Sequence, residues 1–144
     1  LFDQDMVGDP SYGQKMNDLV FESGVRVLTK DFNANTVTFY LKGNKRRINW
    51  LMDRLQANYT NADIRVEKMA MVSAIGSDMK VPGLLKSAAS ALSDAGVNIL
   101  SVHQAMRQVD MMFIVADQDY AAAVKALHTG LIENNSDWEA VQSA

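Results

Sequence analysis

The sequence predicts an α+β protein of two tandem βαββαβ units packed side by side. Helix-period and strand-period runs alternate along its 144 residues. One half also slides onto the other by 72 positions, pairing Pro10 with Pro82, Gly24 with Gly96 and Val25 with Val97. The same shift pairs Leu28 with Leu100, Val37 with Val109 and Leu55 with Leu127, which marks an internal duplication. A unit of about 70 residues makes a thin core and gains from a neighbour, so the two repeats are expected to stack. The expected units are residues 1–68 and 69–144, each with the split βαβ, or ferredoxin-like, arrangement.

In the first half, "SYGQKMNDLVFESGV" is a helix that carries Met16, Leu19 and Val20 inward and stops at Gly24. "VRVLTK" and "TVTFYLKG" read as strands, "NKRRINWLMDRLQANY" as a helix and "ADIRVE" as a closing strand. In the second half, "MAMVSAIG" is a strand. Leu84, Leu85, Ala88, Ala91, Leu92 and Ala95 then recur at the spacing of an amphipathic helix. Pro82 stands at that helix's start, where a missing N–H costs nothing, and Gly96 stands at its C-cap. "VNILSV" and "VDMMFIVA" are strands around a turn in "HQAMRQ", and "DYAAAVKALHTGLIE" is the last helix. The tail "SDWEAVQSA" is a candidate for a missing edge strand.

Composition narrows the function. A net charge of −3 and a pI near 5.3 argue against a nucleic-acid platform, which needs a basic face. An RNA-binding module of this topology would also need aromatics across its central strands, where only Phe39, Tyr40 and Phe113 are on offer. With no cysteine there is neither a disulfide framework nor a thiolate metal site. No apolar run approaches the roughly 20 residues of a membrane span, and no signal peptide opens the chain, so the expectation is a cytoplasmic protein without membrane contact. Opening on Leu1 rather than Met, the chain reads as a segment of something longer.

No catalytic constellation emerges. His103 and His128 have no carboxylate or nucleophile at triad spacing, and "VGDPSYG" lacks the lysine and spacing of a phosphate loop. Asp3, Asp5 and Asp9 lack calcium-loop spacing and read as solvated loop charges. "KRR" at 45–47 reads as an exposed charged face, and the nine methionines read mostly as core filler. "KDFNANTVTFYL" leaves two readings open. Asn33 and Asn35 are good turn formers, and their amides are also paired donors and acceptors suited to a small zwitterion.

The run "VSAIGSDMKVPGLLKSAASALSDAGVNILSVHQ", followed by "FIVADQDYAAAVKALH", resembles the C-terminal ACT region of aspartokinases. "FDQDMVGDPSYG" and "NANT" are similar to the first ACT domain of the same enzymes. The resemblance implies a regulatory pair of ACT domains that binds an end-product amino acid. Such a pair would control ATP-dependent phosphorylation of L-aspartate to 4-phospho-L-aspartate, in the biosynthesis of lysine, threonine and methionine. It implies no catalytic residue, metal or cofactor in this segment, ATP and magnesium belonging to a kinase domain that these residues lack. It also implies a homodimer formed through ACT units, and a partner in the protein's own kinase domain. The alternative is a stand-alone ACT sensor or dimerisation module without kinase activity.

Carried over residue by residue, the family's effector site would use Met6, Ser11, Tyr12 and Gly13 at the first turn for backbone N–H groups and an aromatic wall. Val27, Leu28, Asn33 and Asn35 would follow from the second strand and its exit. Lysine-sensing members place an aspartate where Leu28 stands, and Asp31 falls on a different step of the strand. An ammonium buried without a carboxylate is costly, so the resemblance speaks against lysine as effector. In the second unit, Met106 and Arg107 replace small polar residues while Gln104 is kept, so that unit is expected to pair with another rather than bind a ligand.

Overall fold

The computed structural model describes residues 1–7, 9, 11–77 and 79–133. Pro10 and the tail offered as an edge strand lie outside these residues. The chain divides after Val66 into two compact units.

In the first unit a 3-10 turn, Gln4–Met6, leads into α1 (Tyr12–Glu22), β1 (Arg26–Phe32), β2 (Val37–Lys42) and α2 (Lys45–Asn58). β1 and β2 pair antiparallel, with a register shift between Val27 and Thr29. Residues 1–3 serve as the remaining central strand. Phe2 and Asp63 exchange both backbone hydrogen bonds at 2.8 Å, while the Asp3 N–H donates to the Asn35 carbonyl at 2.9 Å and the Val37 N–H to that of Leu1 at 2.8 Å. The expected closing strand "ADIRVE" shrinks to this single bridge at Asp63. Its would-be partner turns away at Gln4, so no ladder can extend beyond it. Met6, Met16, Val20, Val37, Leu51 and Leu55 lead the core, and Asn44 caps α2 by accepting from the Arg47 N–H at 3.0 Å.

The second unit runs β3 (Met69–Ile75), α3 (Leu84–Asp94), β4 (Ser101–Gln104), β5 (Asp110–Ala116) and α4 (Tyr120–His128). Its sheet has the order β3-β5-β4, all antiparallel, with β5 in the middle and most deeply buried. Met111, Phe113 and Val115 point into the core with Leu92, Ala88 and Ala123. The expected strand "VNILSV" begins late. Val97 is buried and spends its N–H on the Leu92 carbonyl at 2.9 Å, closing α3, so pairing starts only near Leu100. His103 and Gln104, expected in the turn, extend β4 instead. After His128 the last helix widens into a π-type turn, Thr129–Glu133.

The repeat read from sequence holds in three dimensions. Tyr12–Glu22 and Leu84–Asp94 are the same eleven positions shifted by 72. Both helices end on glycine in the left-handed region, Gly24 at φ 66° and Gly96 at φ 71°, a conformation that a Cβ penalises. The Arg47 guanidinium donates to the Gly24 carbonyl at 2.7 Å, so the start of α2 is tied to the end of α1. Of the nine methionines, only Met6, Met16, Met79 and Met111 are buried, and Met106 is almost fully exposed on the β4–β5 turn. Among the described residues no helix is long and apolar enough to cross a membrane, and no group of metal-ligating side chains forms.

Candidate functional site

The end of the first unit where residues 1–3 give way to α1 concentrates its polar side chains. Asp3 is the centre, and it is not the solvated loop charge expected from sequence: only 6% of its surface is exposed. The bridge of Phe2 to Thr36 and Asp63 draws this segment into the middle of the unit, and Asp3 follows. Its Oδ1 accepts the Asp5 N–H at 3.0 Å, capping the 3-10 turn. Its Oδ2 accepts the Tyr12 hydroxyl. A buried carboxylate needs such donors, and these two satisfy it on both oxygens.

Tyr12 opens α1 and packs against Tyr59 at the end of α2, ring centroids 5.1 Å apart and planes at 44°. The Tyr59 hydroxyl donates to the Tyr12 carbonyl at 3.3 Å. Burial and then the hydrogen bond to Asp3 raise the Tyr12 phenol well above its ordinary range, so it stays a neutral donor at any physiological pH. Tyr59 is raised too, by burial first and by the charge of Asp18 second.

The Asp9 side chain organises the turn itself. Its Oδ1 accepts both the Ser11 N–H at 2.8 Å and the Ser11 hydroxyl at 2.7 Å. The Ser11 hydroxyl, then the backbone N–H, hold this exposed carboxyl below its ordinary pKa. The Tyr12 N–H is held by the Asp9 carbonyl at 3.3 Å. An incoming carboxylate would therefore exchange with Asp9 for these donors at the helix start.

The predicted site residues fall into two places. Met6 is buried beneath the turn, Ser11 is exposed on it, and Tyr12 is half-buried beside Asp3. Gly13 lies against the ring of Phe32 at the end of β1, where a Cβ would stand 3.4 Å from the ring edge. The hairpin after Phe32 closes with the Asn33 N–H donating to the Thr36 carbonyl at 2.8 Å and leaves the Asn33 side chain exposed. Asn35 accepts the Asp3 N–H on its carbonyl and the Thr36 hydroxyl, at 3.3 Å, on its amide oxygen. Of these six, the Met6 turn, Tyr12 and Asn35 are tied to Asp3, whereas Ser11 is held by Asp9, Gly13 faces Phe32 and Asn33 closes the hairpin.

Val27 and Leu28 stand elsewhere, in the first half of β1 where the register slips. Both are about two-fifths exposed. Val27 lines an open groove of about 880 Å³ with Asn17, Asp18, Phe21, Thr29 and Lys30, along the later turns of α1. Asp31 is occupied by the Tyr40 hydroxyl at 3.1 Å. Sequence reasoning missed Asp3 and Tyr59. Nothing local separates Asp3 from Asp5 and Asp9, and Tyr59 joins Tyr12 only across 47 positions of folded chain.

The second unit offers no such arrangement. At the shift of 72, Ile75 stands for Asp3, Leu84 for Tyr12, Ala105 for Asn33 and Arg107 for Asn35. Leu84 is buried in the core, and Ile75 is exposed.

The described residues thus form two βαββα-type repeats, the first with a polar turn at the start of its first helix and the second with an apolar one. Residues 72–131 match the ACT domain family. Over all 144 residues the chain is 40% identical to "Aspartate kinase Ask_Ect" of Stutzerimonas stutzeri strain A1501, and it spans 30% of that protein's length. Among solved structures, the aspartate kinase of Clostridium acetobutylicum superposes with a TM-score of 0.83 at 18% identity, covering 92% of this chain and 32% of that one. The ligand-free regulatory subunit of aspartate kinase from Thermus thermophilus superposes with a TM-score of 0.72 at 20% identity, covering 87% of this chain and 85% of that one. Residues 72–131 thus form an ACT domain, and the chain as a whole is homologous to the regulatory region of aspartate kinases.

Proposed function

We propose that this chain senses an end-product amino acid of the aspartate pathway and thereby sets the activity of an aspartate kinase, which phosphorylates L-aspartate to 4-phospho-L-aspartate with ATP. The observation that carries this reading is the polar turn of the first unit, where Tyr12 and Asn35 are bonded to a buried Asp3 and Ser11 to Asp9, while Leu84, Arg107 and Ile75 stand at the places of Tyr12, Asn35 and Asp3 in the second unit. ATP and magnesium would be handled by the kinase domain, and the protein would work in the cytoplasm with it. Val27 and Leu28 would enter the site from a second copy. They are exposed on β1, which pairs with β2 alone, and an unpaired edge with apolar side chains favours association. Ligand wedged between copies would favour one orientation of the subunits, and couplings of this kind amount to about 1–3 kcal/mol.

The test is thermal unfolding of the 144-residue chain with millimolar L-lysine, L-threonine, L-methionine or L-isoleucine. A ligand at about 100 times its dissociation constant adds about 2.7 kcal/mol. A shift of several degrees with one amino acid is expected, and no shift with any of them rejects the reading. A separate regulatory subunit without its own kinase is the second reading, in line with the superposition on the Thermus thermophilus regulatory subunit. Both readings predict the thermal shift. They part on whether the protein that contains these residues phosphorylates aspartate by itself.

A further inference from the structure

Asp3 belongs to no residue set carried over for the effector site, yet it is bonded to three of the segments that supply it. Its backbone N–H reaches Asn35 at 2.9 Å, its Oδ1 holds the 3-10 turn that ends in Met6, and its Oδ2 holds Tyr12. Tyr12 is in turn fixed from the far side by the Tyr59 ring and hydroxyl. With 6% of its surface exposed, Asp3 lies beneath the site rather than in reach of a ligand. We infer that Asp3 is the positioning residue of this site: its carboxylate locks Tyr12 and the Met6 turn into the arrangement that receives the amino acid, so ligand affinity depends on the Asp3–Tyr12 hydrogen bond.

Geometry favours a positioning role over a purely structural one. The core beneath is closed by apolar side chains, among them Met16, Leu19 and Val20. Asp3 instead joins the segments around residues 5, 12 and 35, the first two through its carboxylate and the third through its backbone N–H. A carboxylate also leaves no donor unpaired at this spot, whereas a ligand ammonium would have to displace the Tyr12 hydroxyl to reach it.

The inference rests on the proposed sensing function, and one experiment separates the two. The thermal-shift titration with the four amino acids is repeated on Asp3→Asn, which keeps the shape and the cap on Asp5, on Tyr12→Phe, and on the double variant. Tyr40→Phe, which removes a tyrosine–aspartate hydrogen bond away from the turn, serves as the control. Asp3→Asn and Tyr12→Phe should each weaken the responding amino acid about tenfold, the double variant should be no weaker than either, and Tyr40→Phe should bind as the parent does. Absorbance titration of the tyrosines should show Tyr12 ionising at lower pH in Asp3→Asn. Parental affinity in Asp3→Asn, additive losses in the double variant, or an unmoved Tyr12 titration would each overturn the inference. If the parent chain responds to none of the four amino acids, the sensing function itself fails before any variant is compared, and the inference falls with it.

Discussion

The turn into α1 and the turn into α3 begin helices of equal length at equivalent places in the two repeats, yet different chemistry holds them. Ser11 starts α1 at φ −87° with both of its donors on the Asp9 carboxylate, and Tyr12 behind it is bound to Asp3. Gly83 starts α3 at φ 90° with nothing close to its α-carbon, and Leu84 behind it is buried among apolar neighbours. One turn is built from side-chain hydrogen bonds that a ligand can exchange, the other from a backbone conformation and hydrophobic burial that a ligand cannot use. After duplication of a single fold, one turn is held by polar side chains and the other by backbone conformation and hydrophobic burial.

Four measurements would break or sharpen that contrast. The largest effect is expected in the scaffold: Phe113→Ala, at a fully buried position in the central strand, should cost about 3–5 kcal/mol in urea denaturation. Where the variant remains folded, the first unit should still answer to its amino acid. Gly83→Ala forces a Cβ into the left-handed region and should cost about 1–2 kcal/mol, whereas Ser11→Ala, in ordinary helical geometry, should cost clearly less by the same assay. Equal losses would show that the two turns are not held differently.

A smaller effect is expected in alkali. The Tyr12 phenol is raised on folding, so its contribution is complete below its ordinary value near 10 and is lost as pH climbs above it. Stability measured between pH 9 and pH 12 (on the order of two units around the unfolded phenol) should fall less steeply in Tyr12→Phe, with Tyr59 supplying part of the slope that remains. The smallest effect is in acid. The Asp9 carboxyl is lowered by Ser11, so what it adds is present above the ordinary value of 3.8 and fades as pH falls below it. Titration of Asp9 followed by NMR should move up toward that ordinary value in Ser11→Ala, and an unmoved titration would remove the Ser11 contact from the turn.

Much of the fold was legible because it is periodic. Leu84, Ala88 and Leu92 sit at helical spacing and are buried, and Gly24 and Gly96 mark two helix ends by the same backbone requirement. The misread segments are those where tertiary contacts override local pattern. Val97 looks like the start of a strand but closes a helix, and "ADIRVE" has strand composition but only Phe2 to pair with. In the candidate site, Ser11, Tyr12, Asn33 and Asn35 were visible through resemblance. The burial of Asp3 was not, because it follows from a bridge between residues 2, 36 and 63 that no local pattern encodes.

The cross-ties between the first two helices have a mechanical consequence. Arg47 at the start of α2 grips the carbonyl of Gly24 at the end of α1, and Tyr59 just past the end of α2 grips Tyr12 at the start of α1. Two antiparallel rods pinned at both ends behave as a single plate. A displacement imposed at Tyr12 would therefore move both helices together instead of fraying one helical turn, and would reach the far end, about 15 Å away along an eleven-residue helix.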